Sequence, residues 1–141
     1  MTKLSIAALR GWHAVLAGGF LVAFLTGDED TYGMHVFAGY LVLAVLGLRL
    51  VAALVAPAES PWRLGGRKGR NPMFARMAWV LAAVVAVVAG TGWMADRMPA
   101  FEHLHEGLSE TSAWVIAAHV AAVWFLMGGR SLIGRLKARF A

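Results

Sequence analysis

Cysteine is absent from the 141-residue chain. Its absence excludes disulfides, thiolate metal sites, cysteine-ligated iron–sulfur clusters and haem attached covalently through a Cys-x-x-Cys-His motif. Any metal must therefore be held by histidine or methionine.

Charged residues are also scarce, at 15% of the chain against 60% hydrophobic residues, a balance far from that of a soluble domain. The chain has four apolar stretches whose lengths are close to the roughly 20 residues that a helix needs to cross a bilayer. We predict an all-α, integral membrane four-helix bundle formed by a single domain, residues 1–141. Its expected helices are residues 4–25, 34–55, 74–94 and 105–127, followed by a basic interfacial tail, residues 130–141.

The first apolar stretch resembles a secretory signal in its basic start, but residues 26–30 lack a small-x-small cleavage pattern. We therefore interpret it as a retained first helix. The last apolar core, residues 113–127, is too short to span alone, so the fourth helix must begin near His105.

The charges separate along the chain in a way that predicts the orientation of the bundle. If the helices alternate in direction, nearly all Lys and Arg side chains lie on one side, and most carboxylates lie on the other with Arg97. The positive-inside rule makes the basic side cytoplasmic, with both termini there. The net charge of +5 is thus explained by the inner membrane of a bacterial-type cell, and we expect no nucleic-acid partner.

Four histidines fall at two matching depths of this arrangement. His105 and His119 are 14 residues apart, which on a helix is ~21 Å along the axis and about 40° from the same face. His13 lies in the cytoplasmic half of the first helix and matches His119, whereas His35 begins the second helix and matches His105. Facing imidazoles with no cysteine and no companion carboxylate inside the membrane suit the two axial positions of a haem better than a tetrahedral zinc site.

His103 is 16 residues from His119 and is rotated by ~160°, so we expect it to face elsewhere. A structural role for the others, as hydrogen-bonded core residues, is the alternative. It is weakened by the cost of ionisable groups in lipid, which usually mark a pathway or a ligand.

Three further residues are candidate cofactor contacts. Arg10 is one turn from His13, and Arg49 is 14 residues beyond His35, so both could hold haem propionates on the cytoplasmic side. Gly39, one turn after His35, could leave room for a flat macrocycle. Interfacial snorkelling of the arginines and close helix packing at the glycine are the alternatives. The third helix carries no histidine, and we assign it to packing and lipid contact.

These residues resemble the bacterial cytochrome b561 group, which includes the cytochrome b subunits of nickel–iron hydrogenases and related dihaem anchors. The likeness runs through Arg10-Gly11-Trp12-His13, His35-Val36-Phe37-Ala38-Gly39-Tyr40, Thr91-Gly92 and Leu104-His105-Glu106 with His119. The resemblance implies two haem b groups with iron ligands on the first, second and fourth helices, which correspond to His13, His35, His105 and His119.

The resemblance further implies electron exchange between a membrane quinone and a periplasmic partner, such as a cytochrome c, a hydrogenase or another oxidoreductase. A stand-alone superoxide:quinone oxidoreductase is a second possibility within the same family. A third hypothesis is a small transport or anchoring bundle without haem, for which we see no intramembrane carboxylates and no discontinuous helices. The first two hypotheses are separated from the third by a haem spectrum.

Overall fold

A computed structural model describes residues 3–57, 60, 62–63 and 72–125. This part of the chain folds into four long helices: α1 (Lys3–Leu25), α2 (Tyr32–Val55), α3 (Pro72–Ala95) and α4 (Glu102–Trp124). The prediction of an all-α fold with four helices is confirmed. The expected basic tail, residues 130–141, lies outside the described residues.

Short helical turns lead into two of the helices. Glu29–Thr31 precedes α2, where the Thr31 amide donates to the Asp28 carbonyl at 3.0 Å. Pro99–Phe101 precedes α4, with proline at a first-turn position where its missing N–H carries no penalty. The α4 helix begins at Glu102, three residues before the predicted start. His105 and His119 therefore lie on one helix, as predicted.

The second helix is the centre of the packing. Val42, Leu46 and Val85 are buried together, and side chains of α1 and α3 surround them. Gly19 of α1 allows this approach, because a Cβ there would lie 3.2 Å from the Val42 side chain. Small residues at such crossings let helix backbones come close.

The fourth helix is attached mainly through the third. Each helix packs against the next one in the chain: α1 against α2, α2 against α3, and α3 against α4. In contrast, α4 stays apart from α1 and α2 over nearly all of its described length. The backbone of α4 is therefore separated from the α1/α2 pair by a gap that side chains cross.

Within the described part of the chain, three helices are long and apolar enough to cross a membrane, at Ala7–Leu25, Glu29–Val55 and Arg76–Ala95. Large apolar side chains such as Phe37 and Leu54 point away from the bundle, 72% and 83% exposed. Such exposure is expected of surfaces that face lipid.

We name the two ends of the bundle by their charges. The acidic end carries the described carboxylates: Asp28, Glu29, Asp30, Asp96, Glu102, Glu106 and Glu110. The basic end carries Arg10, Arg49, Arg63 and Arg76.

Candidate functional site

The structure brings four of the five histidines together in two pairs, each across the gap beside α4. Toward the acidic end, the rings of His35 and His105 have centroids 5.9 Å apart and an interplanar angle of 68°. Toward the basic end, the rings of His13 and His119 have centroids 6.4 Å apart and an angle of 39°. These are the two pairings that the helical depths predict.

Both separations suit one metal ion between two imidazoles. A metal–imidazole bond is about 2.0 Å, and the ring nitrogen is about 1.1 Å from the ring centre, so two axial imidazoles have centroids ~6.3 Å apart. Both observed values lie within about 0.5 Å of this distance. Among the described residues, no group of three or more His, Asp or Glu side chains could hold a metal, so the pairs do not extend into tetrahedral sites.

At the acidic-end pair, His35 is oriented by the first helix. Its Nδ1 donates to the Ala23 carbonyl at 2.7 Å. Because a carbonyl can only accept, this bond places the proton on Nδ1 and leaves Nε2 as the free lone pair, as is usual for metal-ligating histidines. The Tyr32 ring stacks on the His35 ring, with centroids 6.0 Å apart.

The third helix orients His105. A Cβ at Gly92 would lie 2.9 Å from Cε1 of His105, so only glycine allows the ring to lie in this place. The Thr91 hydroxyl is 3.4 Å from Nδ1 of the same ring, and it donates to the Val88 carbonyl at 2.9 Å. This contact was not predicted, because α3 was expected to serve only in packing and lipid contact. The available signal was Thr91-Gly92, which forms part of the family resemblance.

A cavity of about 490 Å³ adjoins the acidic-end pair, within the range of pockets that hold cofactors. Apolar side chains of α1, α2 and α3, including Phe20, Phe24 and Val85, form much of its wall. Gly39 also lines it, and a Cβ at this position would meet nothing within 4 Å. The cavity thus combines an apolar wall and two imidazoles with carboxylates toward the acidic end of the bundle: Asp96, Glu102, Glu106 and Glu110.

A hydrogen-bonded cluster closes one side of the cavity at the acidic end. The Tyr40 hydroxyl donates to Asp96 at 2.9 Å and accepts from Arg97 at 2.9 Å. The Arg97 guanidinium also lies over the Trp93 ring, 4.4 Å from its centre. This cluster joins Tyr40 of α2 to the end of α3. It also pairs the Arg97 guanidinium with the Asp96 carboxylate.

The basic-end pair has fewer contacts of this kind. The His13 side chain is exposed, and its ring makes a T-shaped contact with the Trp12 ring, with centroids 6.4 Å apart. Nδ1 of His119 is buried and has no hydrogen-bond partner among the described residues. A buried imidazole nitrogen without a partner is costly; an acceptor would satisfy it if it carries the proton, and a donor would satisfy it if it does not.

The two arginines predicted to contact a cofactor differ in their surroundings. Arg10 is exposed, one turn from His13 toward the basic end. Arg49 is only 7% exposed, and its guanidinium lies over the rings of Trp12 and Trp62, 5.6 and 5.5 Å from their centres. It also donates to the Trp62 carbonyl. The position of Arg49 on α2 predicted a cofactor contact and did not predict its packing against the two tryptophans.

His103 lies apart from both pairs. Its side chain is 98% exposed, and Nδ1 is 3.8 Å from the Glu106 carboxylate one turn along α4. Its predicted separation from the inward-facing histidines therefore agrees with its position on the helix surface.

No protein-family model, no curated protein and no solved structure matches the chain.

Proposed function

We propose that the chain is a dihaem b-type cytochrome that carries electrons across a bacterial inner membrane, between a quinone and a periplasmic redox partner. The proposal rests on the two histidine pairs. In each pair, the two imidazoles face each other across the gap beside α4, at a spacing that suits two ligands of one metal ion. The family resemblance of the sequence supports the same conclusion.

In this proposal the chain spans the membrane four times, with both termini in the cytoplasm. The three apolar helices support three of the spans, and α4 is long enough for the fourth, since its 23 residues correspond to ~34 Å. The basic end faces the cytoplasm by the positive-inside rule. The two histidine pairs then lie ~21 Å apart along the membrane normal, which covers most of the ~30 Å hydrocarbon core.

His35 and His105 would hold one haem near the periplasmic face, and His13 and His119 would hold the other near the cytoplasm. Iron with two imidazole ligands exchanges one electron between its ferric and ferrous states, and this is the chemistry that the bound group supplies. The protein contributes the rest: Ala23, Thr91 and Gly92 fix the ring directions at one site, and Arg10 offers a cation near the other.

The charge at the acidic end bears on the external partner. Seven described carboxylates lie there, and the one described arginine, Arg97, is joined to Asp96 and Tyr40. A negative surface attracts cationic partners and repels anions. It therefore favours a basic redox protein over superoxide as the reactant at this face.

The test is a haem count on detergent-purified protein, by the dithionite-minus-oxidised visible spectrum and the pyridine haemochrome. The wild-type chain is expected to hold two b haems, and His13→Ala, His35→Ala, His105→Ala and His119→Ala are each expected to lose one. His103→Ala is the matched control on the surface of α4 and should keep both. A wild-type protein without haem would overturn the proposal and favour the transport or anchoring hypothesis.

A further inference from the structure

Arg49 joins three parts of the chain at the basic end. It lies on α2, its guanidinium contacts the Trp12 ring on α1, and it contacts both the ring and the carbonyl of Trp62 in the segment between α2 and α3. The guanidinium is planar and has five donors in a fixed fork, so it can stack on rings and donate in its own plane at the same time. These contacts are strengthened by burial, because cation–π attraction increases when the cation loses water.

Trp12 is tied to α2 by a second bond. Its indole N–H donates to the Val45 carbonyl at 3.0 Å, one turn before Arg49. The indole is therefore held at its nitrogen by the backbone of α2 and at its face by Arg49. The rotation of α1 about its own axis is fixed at this residue.

The fixed rotation determines where His13 points. Consecutive residues on a helix are ~100° apart, so an α1 that directs Trp12 toward α2 directs His13 well away from α2. In the structure that direction leads to His119 on α4. Since α4 hardly approaches α1 in the described part of the chain, packing between these two helices contributes little to this direction.

We propose that Arg49 is a positioning residue that acts through Trp12 to hold His13 opposite His119. This role differs from the expectation that Arg49 binds a haem propionate by charge alone, because it depends on the shape of the guanidinium and on Trp12. Its importance for a haem rests on the proposed function, but the orientation of position 13 can be measured without any haem.

Crosslinking gives that measurement, because the chain has no cysteine of its own. His13→Cys and His119→Cys together place two unique thiols at the pair, and a short bismaleimide reports whether they face each other. Arg49→Lys, which keeps the charge, and Trp12→Phe, which keeps an aromatic ring, are each expected to lower the crosslinking yield about two- to tenfold, the scale of couplings between contacting side chains.

Two controls separate this role from a general loss of structure. Arg76→Lys makes the same chemical change at an exposed position of the basic end and should leave the yield unchanged. The pair His35→Cys and His105→Cys should crosslink equally with and without Arg49→Lys. If Arg49→Lys protein is not recovered from the membrane, Trp12→Phe decides.

An unchanged yield in Arg49→Lys and Trp12→Phe would overturn the positioning role, as would an equal fall at both histidine pairs. A wild-type chain without haem would instead refute the proposed function and leave this result unaffected.

Discussion

The two histidine pairs have the same chemical groups but differ in how the protein holds them. At the acidic end, His35 is bonded to the Ala23 carbonyl, and His105 fits against Gly92 beside the Thr91 hydroxyl. At the basic end, the His13 side chain is exposed and Nδ1 of His119 has no partner among the described residues.

This difference teaches that two histidines can lie close together without their rings being held in a fixed orientation. Hydrogen bonds to the second ring nitrogen fix the tautomer and the direction of a histidine ligand, and they raise its basicity. The acidic-end pair has such a bond in the folded chain. We therefore expect it to bind haem more tightly, whereas the basic-end pair depends on Trp12 and on the haem itself for its final geometry.

The strongest way to remove this difference is to disturb the contact at Gly92. Gly92→Ala would place a methyl group 2.9 Å from His105, so the ring must move. We expect the acidic-end haem to be lost, and the haem content to fall from two toward one per chain, as measured by the pyridine haemochrome. Gly90→Ala, on the same helix with nothing within 4 Å of its Cβ, should keep both haems. Equal haem contents in the two variants would contradict the contact.

The order of affinity follows directly from the comparison. His119→Ala leaves only the acidic-end pair complete, and His35→Ala leaves only the basic-end pair. Titration of the haem-free proteins with haemin should give an affinity about tenfold higher for His119→Ala, the lower range of effects from bonds to the second ring nitrogen. If both proteins bind equally, or if His35→Ala binds more tightly, the hydrogen bond of His35 does not set the affinity.

The Thr91 hydroxyl should have a smaller effect, because its distance of 3.4 Å from the His105 ring makes a weak bond. Thr91→Val keeps the shape and removes the hydroxyl, and we expect the acidic-end site to lose haem affinity by about tenfold or less. Thr111→Val is the matched control, since the Thr111 hydroxyl donates to the Gly107 carbonyl of its own helix and bonds to no other described residue. A haemin titration in the His119→Ala background measures the haem affinity of both variants. Equal affinities of the Thr91→Val and Thr111→Val proteins would exclude a role for the Thr91 hydroxyl.

The smallest effect is expected at the Tyr40 cluster, which is largely exposed. Tyr40→Phe removes the bonds to Asp96 and Arg97, and it should lower the stability by about 1 kcal/mol or less. The haem content should stay at two, and thermal unfolding in detergent should show the small loss. Tyr32→Phe is the control, since its hydroxyl bonds to no described residue. Loss of a haem in Tyr40→Phe would show that the cluster supports the site itself.

The four helices and the two histidine pairings could be predicted from the sequence, because they depend on regular geometry. Apolar length identifies the helices, and a fixed rise per residue places His105 and His119 at two depths of one helix. The alternation of helix direction then assigns His35 and His13 to those depths. None of these steps needs the identity of the surrounding side chains.

The contacts that distinguish the two pairs could not be predicted in this way. Glycine at position 92 is compatible with simple helix packing, and only the three-dimensional approach of His105 shows what a Cβ would meet. Arg49 was expected to contact a cofactor by its position on α2, and its contact with Trp12 and Trp62 depends on side-chain direction and on the path of the connecting segment. Such contacts join elements whose relative rotation is not encoded by spacing alone.

The most direct test of the account is to compare two double variants of the same chain. His13→Ala with His119→Ala removes both ligands of one pair, and His13→Ala with His35→Ala removes one ligand from each pair. If the pairs are two independent axial sites, the first protein keeps one haem and the second keeps none, as measured by the pyridine haemochrome per chain. Equal haem contents in the two proteins, or no haem in the wild type, would contradict the account.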